Sequence, residues 1–137
     1  MEYTFNPVIG KNGYYRIKMI DSNKVLWMAV VLIENKVAKL TRAILYSNVT
    51  YEGFIEVYQY CLSKIKELDC QYLTTTPYYN AAAKAFWATL PETKIFDSEN
   101  NELSKEEILS SYSGQIANLK GCIIGESDTF YIVVDLR

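Results

Sequence analysis

Residues 51–87 read YEGFIEVYQYCLSKIKELDCQYLTTTPYYNAAAKAFW, and the order of elements within them decides the fold. Tyr51-Glu52-Gly53-Phe54 opens a helix in which Phe54, Ile55, Tyr58, Cys61, Leu62, Ile65 and Leu68 recur at three- and four-residue spacing. Thr50 is placed to cap it, and Glu52 in the first turn suits the helix dipole. Cys70-Gln71-Tyr72-Leu73-Thr74-Thr75-Thr76 follows as a short strand that ends before Pro77. Asn80 then caps a second, alanine-rich helix carrying Ala83, Phe86 and Trp87 and stopping at Pro91. Its small residues, Ala81, Ala82, Ala83, Ala85 and Ala88, allow it to lie close against a sheet.

Working towards the amino terminus, three strands precede this unit. Tyr15, Ile17 and Met19 alternate with Arg16 and Lys18, the period of a half-exposed strand. After the turn Asp21-Ser22-Asn23-Lys24, the run from Val25 to Ile33 is apolar on both faces, as in a central strand covered on both sides. A tight connection at Glu34-Asn35-Lys36 leads into a third strand, Val37 to Tyr46. Short links between consecutive strands predict an antiparallel meander. Residues 1–11 read as an irregular arm.

Working towards the carboxyl terminus, Thr93 to Phe96 reads as a strand and 97–101 as a polar loop. Ser104-Lys105-Glu106-Glu107 is a capping box, with Leu103 and Ile108 as a hydrophobic staple. The helix it starts is expected to carry Ile108, Leu109, Tyr112, Ile116 and Leu119 and to close near Gly121. Phe130 to Leu136 is a final strand, expected to pair with Cys122-Ile123-Ile124. The whole predicts one domain over 1–137. It is an α/β (α+β) fold with a single mixed, mostly antiparallel sheet and helices packed on it.

Composition narrows the chemistry. The chain has 137 residues, half of them hydrophobic, 22% charged, and a net charge of −2. That is ordinary for a folded domain and argues against disorder. No Lys/Arg run marks a nucleic-acid binder, so nucleic acid is an unlikely partner. There is no histidine, which removes the commonest general base and metal ligand. Cys61, Cys70 and Cys122 lack paired ligand spacing, so no metal site is expected and they read as buried thiols in a reducing compartment. The first residues carry neither a basic nor an apolar signal region, and the longest apolar run is far short of the ~20 residues that span a bilayer. The expected location is cytoplasmic, away from membranes.

The order meander, helix, strand, helix, strand over roughly residues 12–97 resembles the GNAT family of acyl-CoA N-acyltransferases. The glycine turn at Gly53 and the Asn80-x-x-Ala83-x-x-Phe86 pattern carry that resemblance. In the family, backbone amides of a glycine-rich turn hold the pyrophosphate of acyl-CoA, since orphan N–H groups and a positive helix end attract an anion. The resemblance therefore implies that Glu52, Gly53, Phe54 and Asn80 bind the cofactor wherever acetyl-CoA is bound. This sequence departs from the pattern in four ways. Glu52 stands where Arg or Gln is usual, and Ile55 and Val57 replace later glycines. Trp87 stands where many members place the tyrosine that reprotonates the leaving thiolate, and an indole N–H is no acid near neutral pH. Tyr78, Tyr79 and Tyr112 are the remaining phenols that could serve. The strand 37–46 has no carboxylate to act as base, with Glu34 only at its far turn. About eleven residues precede the meander, where the family has acceptor-side helices, and extra mass follows in the helix at 104–119.

These departures lead to an expectation of no catalytic residue and no cofactor. The retained scaffold would bind another protein through Tyr46, Tyr51, Tyr78, Tyr79 and Trp87, aromatic anchors near the C-terminal ends of the strands. A small inhibitor of a host enzyme, encoded by a phage or mobile element, would fit such a chain. The apolar last strand at a sheet edge suggests a homodimer. The alternative is an acetyl-CoA-dependent N-acetyltransferase acting on an amine of a protein or small molecule.

Overall fold

A computed structural model describes residues 1–114 and 129–137. Seven strands form one sheet in the order β1-β2-β3-β4-β5-β7-β6: β1 (Glu2–Pro7), β2 (Tyr14–Asp21), β3 (Lys24–Glu34), β4 (Val37–Leu45), β5 (Tyr72–Thr75), β6 (Thr93–Asp97) and β7 (Phe130–Asp135). All neighbours are antiparallel except β4 and β5. Helices α1 (Tyr51–Glu67), α2 (Ala81–Ala88) and α3 (Lys105–Ser111) complete the described residues. The meander, both helices of the 51–87 unit and the mixed sheet stand where the sequence places them.

The caps act as expected. Thr50 Oγ1 accepts from the Gly53 N–H at 3.1 Å, and Asn80 Oδ1 accepts from the Ala83 N–H at 2.9 Å. One such cap is worth about 1 kcal/mol. Ser104 Oγ likewise accepts from the Glu107 N–H.

Three expectations are corrected. Residues 2–7 are not an irregular arm but an edge strand, paired from Glu2↔Ile20 to Pro7↔Tyr15. Tyr3 and Phe5 alternate with polar neighbours; Tyr3 meets Tyr60 of α1, and Phe5 stacks on Tyr15. The helix begun at Ser104 ends at Ser111, and Tyr112 is extended. The Ser110 and Ser111 hydroxyls donate back to the Glu107 carbonyl, an alternative to helix propagation that short polar side chains offer. Positions 116, 119 and 121 of that expected helix, and the expected strand at 122–124, lie outside the described residues. Finally, β7 enters the sheet between β5 and β6 and pairs with both.

One face of the sheet forms the core. Ile17, Met19, Trp27, Ala29, Val31, Ala38, Leu73, Ile95, Phe130, Ile132 and Val134 are buried there, under Phe54, Val57, Tyr58, Cys61 and Ile65 of α1 and the alanines, Phe86 and Trp87 of α2. Tyr51 donates to Thr89 Oγ1, and Tyr58 donates to Glu92 Oε1, each at 2.8 Å, so two phenols tie α1 to the end of α2. Burial and the Glu92 carboxylate both push the Tyr58 phenol far above its ordinary range. The opposite face differs from expectation. Met28, Val30 and Leu32 of β3 are only half-buried there, and no described helix packs on them.

Candidate functional site

The two parallel strands part company halfway along. β4 pairs with β5 from Val37↔Tyr72 to Leu40↔Thr75, and the Thr76 N–H bonded to the Leu40 carbonyl at 2.9 Å closes the ladder. Pro77 has no N–H to continue it. Tyr78 instead pairs with Phe130, through N–H to carbonyl bonds of 3.0 and 2.9 Å, and so follows β7. β4 turns the other way. Val30 faces Arg42 and Val31 faces Leu40, leaving Thr41 as an inserted residue, a bulge that bends the strand. A fork opens between Thr41-Arg42-Ala43 and Thr76-Pro77-Tyr78.

The fork is roofed by α1 and α2, giving a cleft of about 310 Å³. Its walls include Trp27, Phe54, Val57, Ala83 and Phe86, so they are mainly apolar. Past Leu40 no described strand pairs with β4 on this side, so backbone groups of the fork border the cavity. That arrangement suits a narrow, mostly apolar chain bearing amide groups. Tyr78 and Trp87 also line it, and the Trp87 Nε1–H donates to the Tyr78 hydroxyl at 2.8 Å. Tyr58 packs edge-on to Trp87 at 5.7 Å and fixes the indole. Cys61 lines the far wall as a neutral thiol, pushed up to about 12 by burial.

Chemistry-bearing positions from the sequence divide between this cleft and its margins. Phe54 lines the cleft, meeting Trp27 edge-on and Phe86 at 6.0 Å. Asn80 borders it and is committed to capping α2. Gly53 is closely packed: a Cβ there would stand 3.0 Å from Val49 Cγ1 and 3.3 Å from Thr50 Oγ1, so those side chains would have to give by a few tenths of an ångström. Its N–H is already occupied by Thr50, and Glu52 is exposed beside it. Of the aromatic anchors, Trp87 is buried at 7% exposure, so it presents no free contact surface. Tyr51 is engaged with Thr89 and with the Phe86 ring, and Tyr78 with Trp87 and the Phe130 ring. Tyr79 is half-buried, and Tyr46 stands out at 57% exposure. All four tyrosines do follow β4 or β5, at the C-terminal ends of the parallel pair. The fork itself was missed by sequence reasoning; Pro77 at the end of β5 was its one local signal.

No protein-family model matches the chain, and no curated protein shows significant similarity to it. Solved structures do. The ribosomal-protein-S18-alanine N-acetyltransferase of Escherichia coli superposes with a TM-score of 0.58 at 12% identity, over 92% of this chain and 71% of that one. A probable acetyltransferase of Staphylococcus epidermidis gives 0.60 at 11% identity, over 93% and 71%. An IAA acetyltransferase of Bacillus cereus gives 0.58 at 10% identity, over 90% and 78%. This chain has the GNAT acyltransferase fold. Within that fold this chain has the meander, the strand β5 and both helices of the 51–87 unit. Among the described residues no group of three or more His, Cys, Asp or Glu could hold a metal ion. No described helix is long and apolar enough to cross a membrane.

Proposed function

We propose that this protein is an acyl-CoA-dependent N-acyltransferase that receives the thioester arm in the cleft between β4 and β5. The fork at Leu40 and Thr76 carries the reading: two parallel strands separate over an apolar cavity of about 310 Å³ bordered by backbone that no described strand pairs with. The likeness to solved acetyltransferases favours it, while no observation favours the expectation of a non-catalytic inhibitor. The cavity fits the thioester arm well. The diphosphate end fits less well, because Thr50 occupies the Gly53 N–H and Glu52 would repel an anion.

When bound, the thioester would supply an activated acyl group. Backbone groups of 41–43 on one side and of 76–78 on the other would hold its chain, and the apolar walls would exclude water. Tyr78 would deliver a proton from its Oη to the departing thiolate. The Trp87 indole N–H, donating to that oxygen, would stabilise the phenolate left behind. The acid is thereby carried by the residue three places past the end of β5 rather than by the helix position at Trp87.

Calorimetric titration with acetyl-CoA tests this, together with turnover on a panel of amines. Micromolar binding is expected, and Ala43→Trp, which fills the cleft from an exposed strand position, should weaken it by about tenfold or more. Absence of binding at millimolar acetyl-CoA, or indifference to Ala43→Trp, would end the proposal.

A further inference from the structure

The sheet face turned away from α1 and α2 carries an order that the cleft does not use. Registry places Arg16, Val30 and Arg42 in one row across β2, β3 and β4. Lys18, Met28 and Ile44 form the next row, and Tyr14, Leu32 and Lys39 the one on the other side. Residues paired in register share a face, and the alternate rows hold the buried Ile17, Ala29 and Val31. The open face therefore bears an aliphatic column, Met28, Val30 and Leu32, about 13 Å long. Arg16 and Lys18 border it on one side and Lys39 and Arg42 on the other, each column roughly 5 Å away.

Among the described residues none of these four cations makes an ion pair. Arg16 Nε is buried without an acceptor among the described residues. The described carboxylates on this face, Glu2, Glu34 and Asp135 at strand ends and Glu102 beyond the β6 edge, lie away from the column, and Asp135 is held by Arg137 at 2.9 Å. A chain of net charge −2 thus gathers, around one apolar strip, positive charge that no described carboxylate pairs with. The sequence hides this because the cations alternate with core residues rather than run together.

We propose that this face receives an amphipathic helix of a partner protein, with an apolar stripe bordered on both sides by Asp or Glu. A helix is about 10 Å across, and nine residues of it span about 13 Å, the length of the aliphatic column. Its stripe would cover Met28, Val30 and Leu32, and its flanking acids would meet the two cationic borders. A nucleic-acid strand would need free aromatic platforms for stacking. The central column is aliphatic, and aromatics at the margin are already engaged, Tyr14 under Lys11, Phe96 on Tyr131 and Tyr72 under Arg137.

The full-length protein is titrated with a fluorescent synthetic helix built from Leu, Ala and Glu, with leucines on one face and glutamates along both borders. Parallel titrations use the same residues in scrambled order, oligo-thymidylate, and phosphatidylserine vesicles. The patterned helix should bind about tenfold or more tighter than the scrambled one, weaken with salt, and shift backbone NMR signals of β2, β3 and β4. Arg16→Glu with Arg42→Glu should abolish binding. Should that pair unfold by circular dichroism, Lys18→Glu with Lys39→Glu gives the same reading from the other two cations. Equal binding of the scrambled peptide, tighter binding of oligo-thymidylate or vesicles, no binding of either peptide, or charge reversal without effect in a folded variant each overturns the proposal.

Discussion

The walls of the cleft and the N-terminus of α1 adjoin in sequence, yet they are built on different terms. From Phe54 onward the helix contributes apolar side chains to a cavity shaped by the β4–β5 fork, with Tyr78 and Trp87 locked together inside it. One residue earlier, Gly53 serves the packing of Thr50 and Val49, and its amide is spent on the cap. Glu52 beside it puts negative charge where an anion would otherwise be welcome. A cavity for an apolar thioester arm depends on long-range packing, so local changes at a helix end leave it intact. Anion affinity depends on a few orphan amides, so two local substitutions suffice to weaken it.

The largest effect should come from the packed side. Trp87→Ala removes a buried indole touching Tyr58, Phe86 and Tyr78, and should cost about 3–5 kcal/mol in urea unfolding. A loss below about 1 kcal/mol would mean that the wall is not the rigid part. Next, Tyr78→Phe should lower kcat about a hundredfold, or ~2.7 kcal/mol, while acetyl-CoA affinity stays within about twofold. Equal losses in kcat and affinity would reassign Tyr78 to binding.

Alkaline pH probes the same wall. Cys61 is neutral in the fold, with its pKa raised by burial from 9.0 to about 12. Its contribution is full below pH 9 and is lost between 9 and 12, because the unfolded chain releases the proton first. Stability should fall by on the order of 1–2 kcal/mol near pH 10.5, and Cys61→Ala should reduce that slope in paired urea melts. The helix end should respond more weakly. Thr50→Ala should cost about 1 kcal/mol by the same measurement. Glu52→Gln should tighten acetyl-CoA about three- to fivefold by calorimetry, and an unchanged Kd would remove Glu52 from the account of the anion end.

Much of this contrast was legible in the chain. Thr50, Asn80 and Ser104 announced their caps, and the spacing of Phe54, Tyr58, Cys61 and Ile65 gave the buried side of α1. The period-two pattern of Tyr3 and Phe5 was present too, but six residues ending in proline did not compete with the stronger strands beyond them. The Tyr78–Trp87 bond could not be read at all. It arises because Pro77 turns the chain towards β7, a strand that begins more than forty residues later.

What the sequence determined by itself is therefore what neighbours within four residues decide: helix limits at their amino ends, the meander, and the alternation that marks each strand's buried side. Only the tertiary structure decided which strands meet and where they separate. The insertion of β7, the bulge at Thr41, the fork above Leu40 and the alignment of Arg16 with Arg42 all depend on register between distant segments. Register is set by the packing of whole faces against α1 and α2, a condition no single stretch of chain contains.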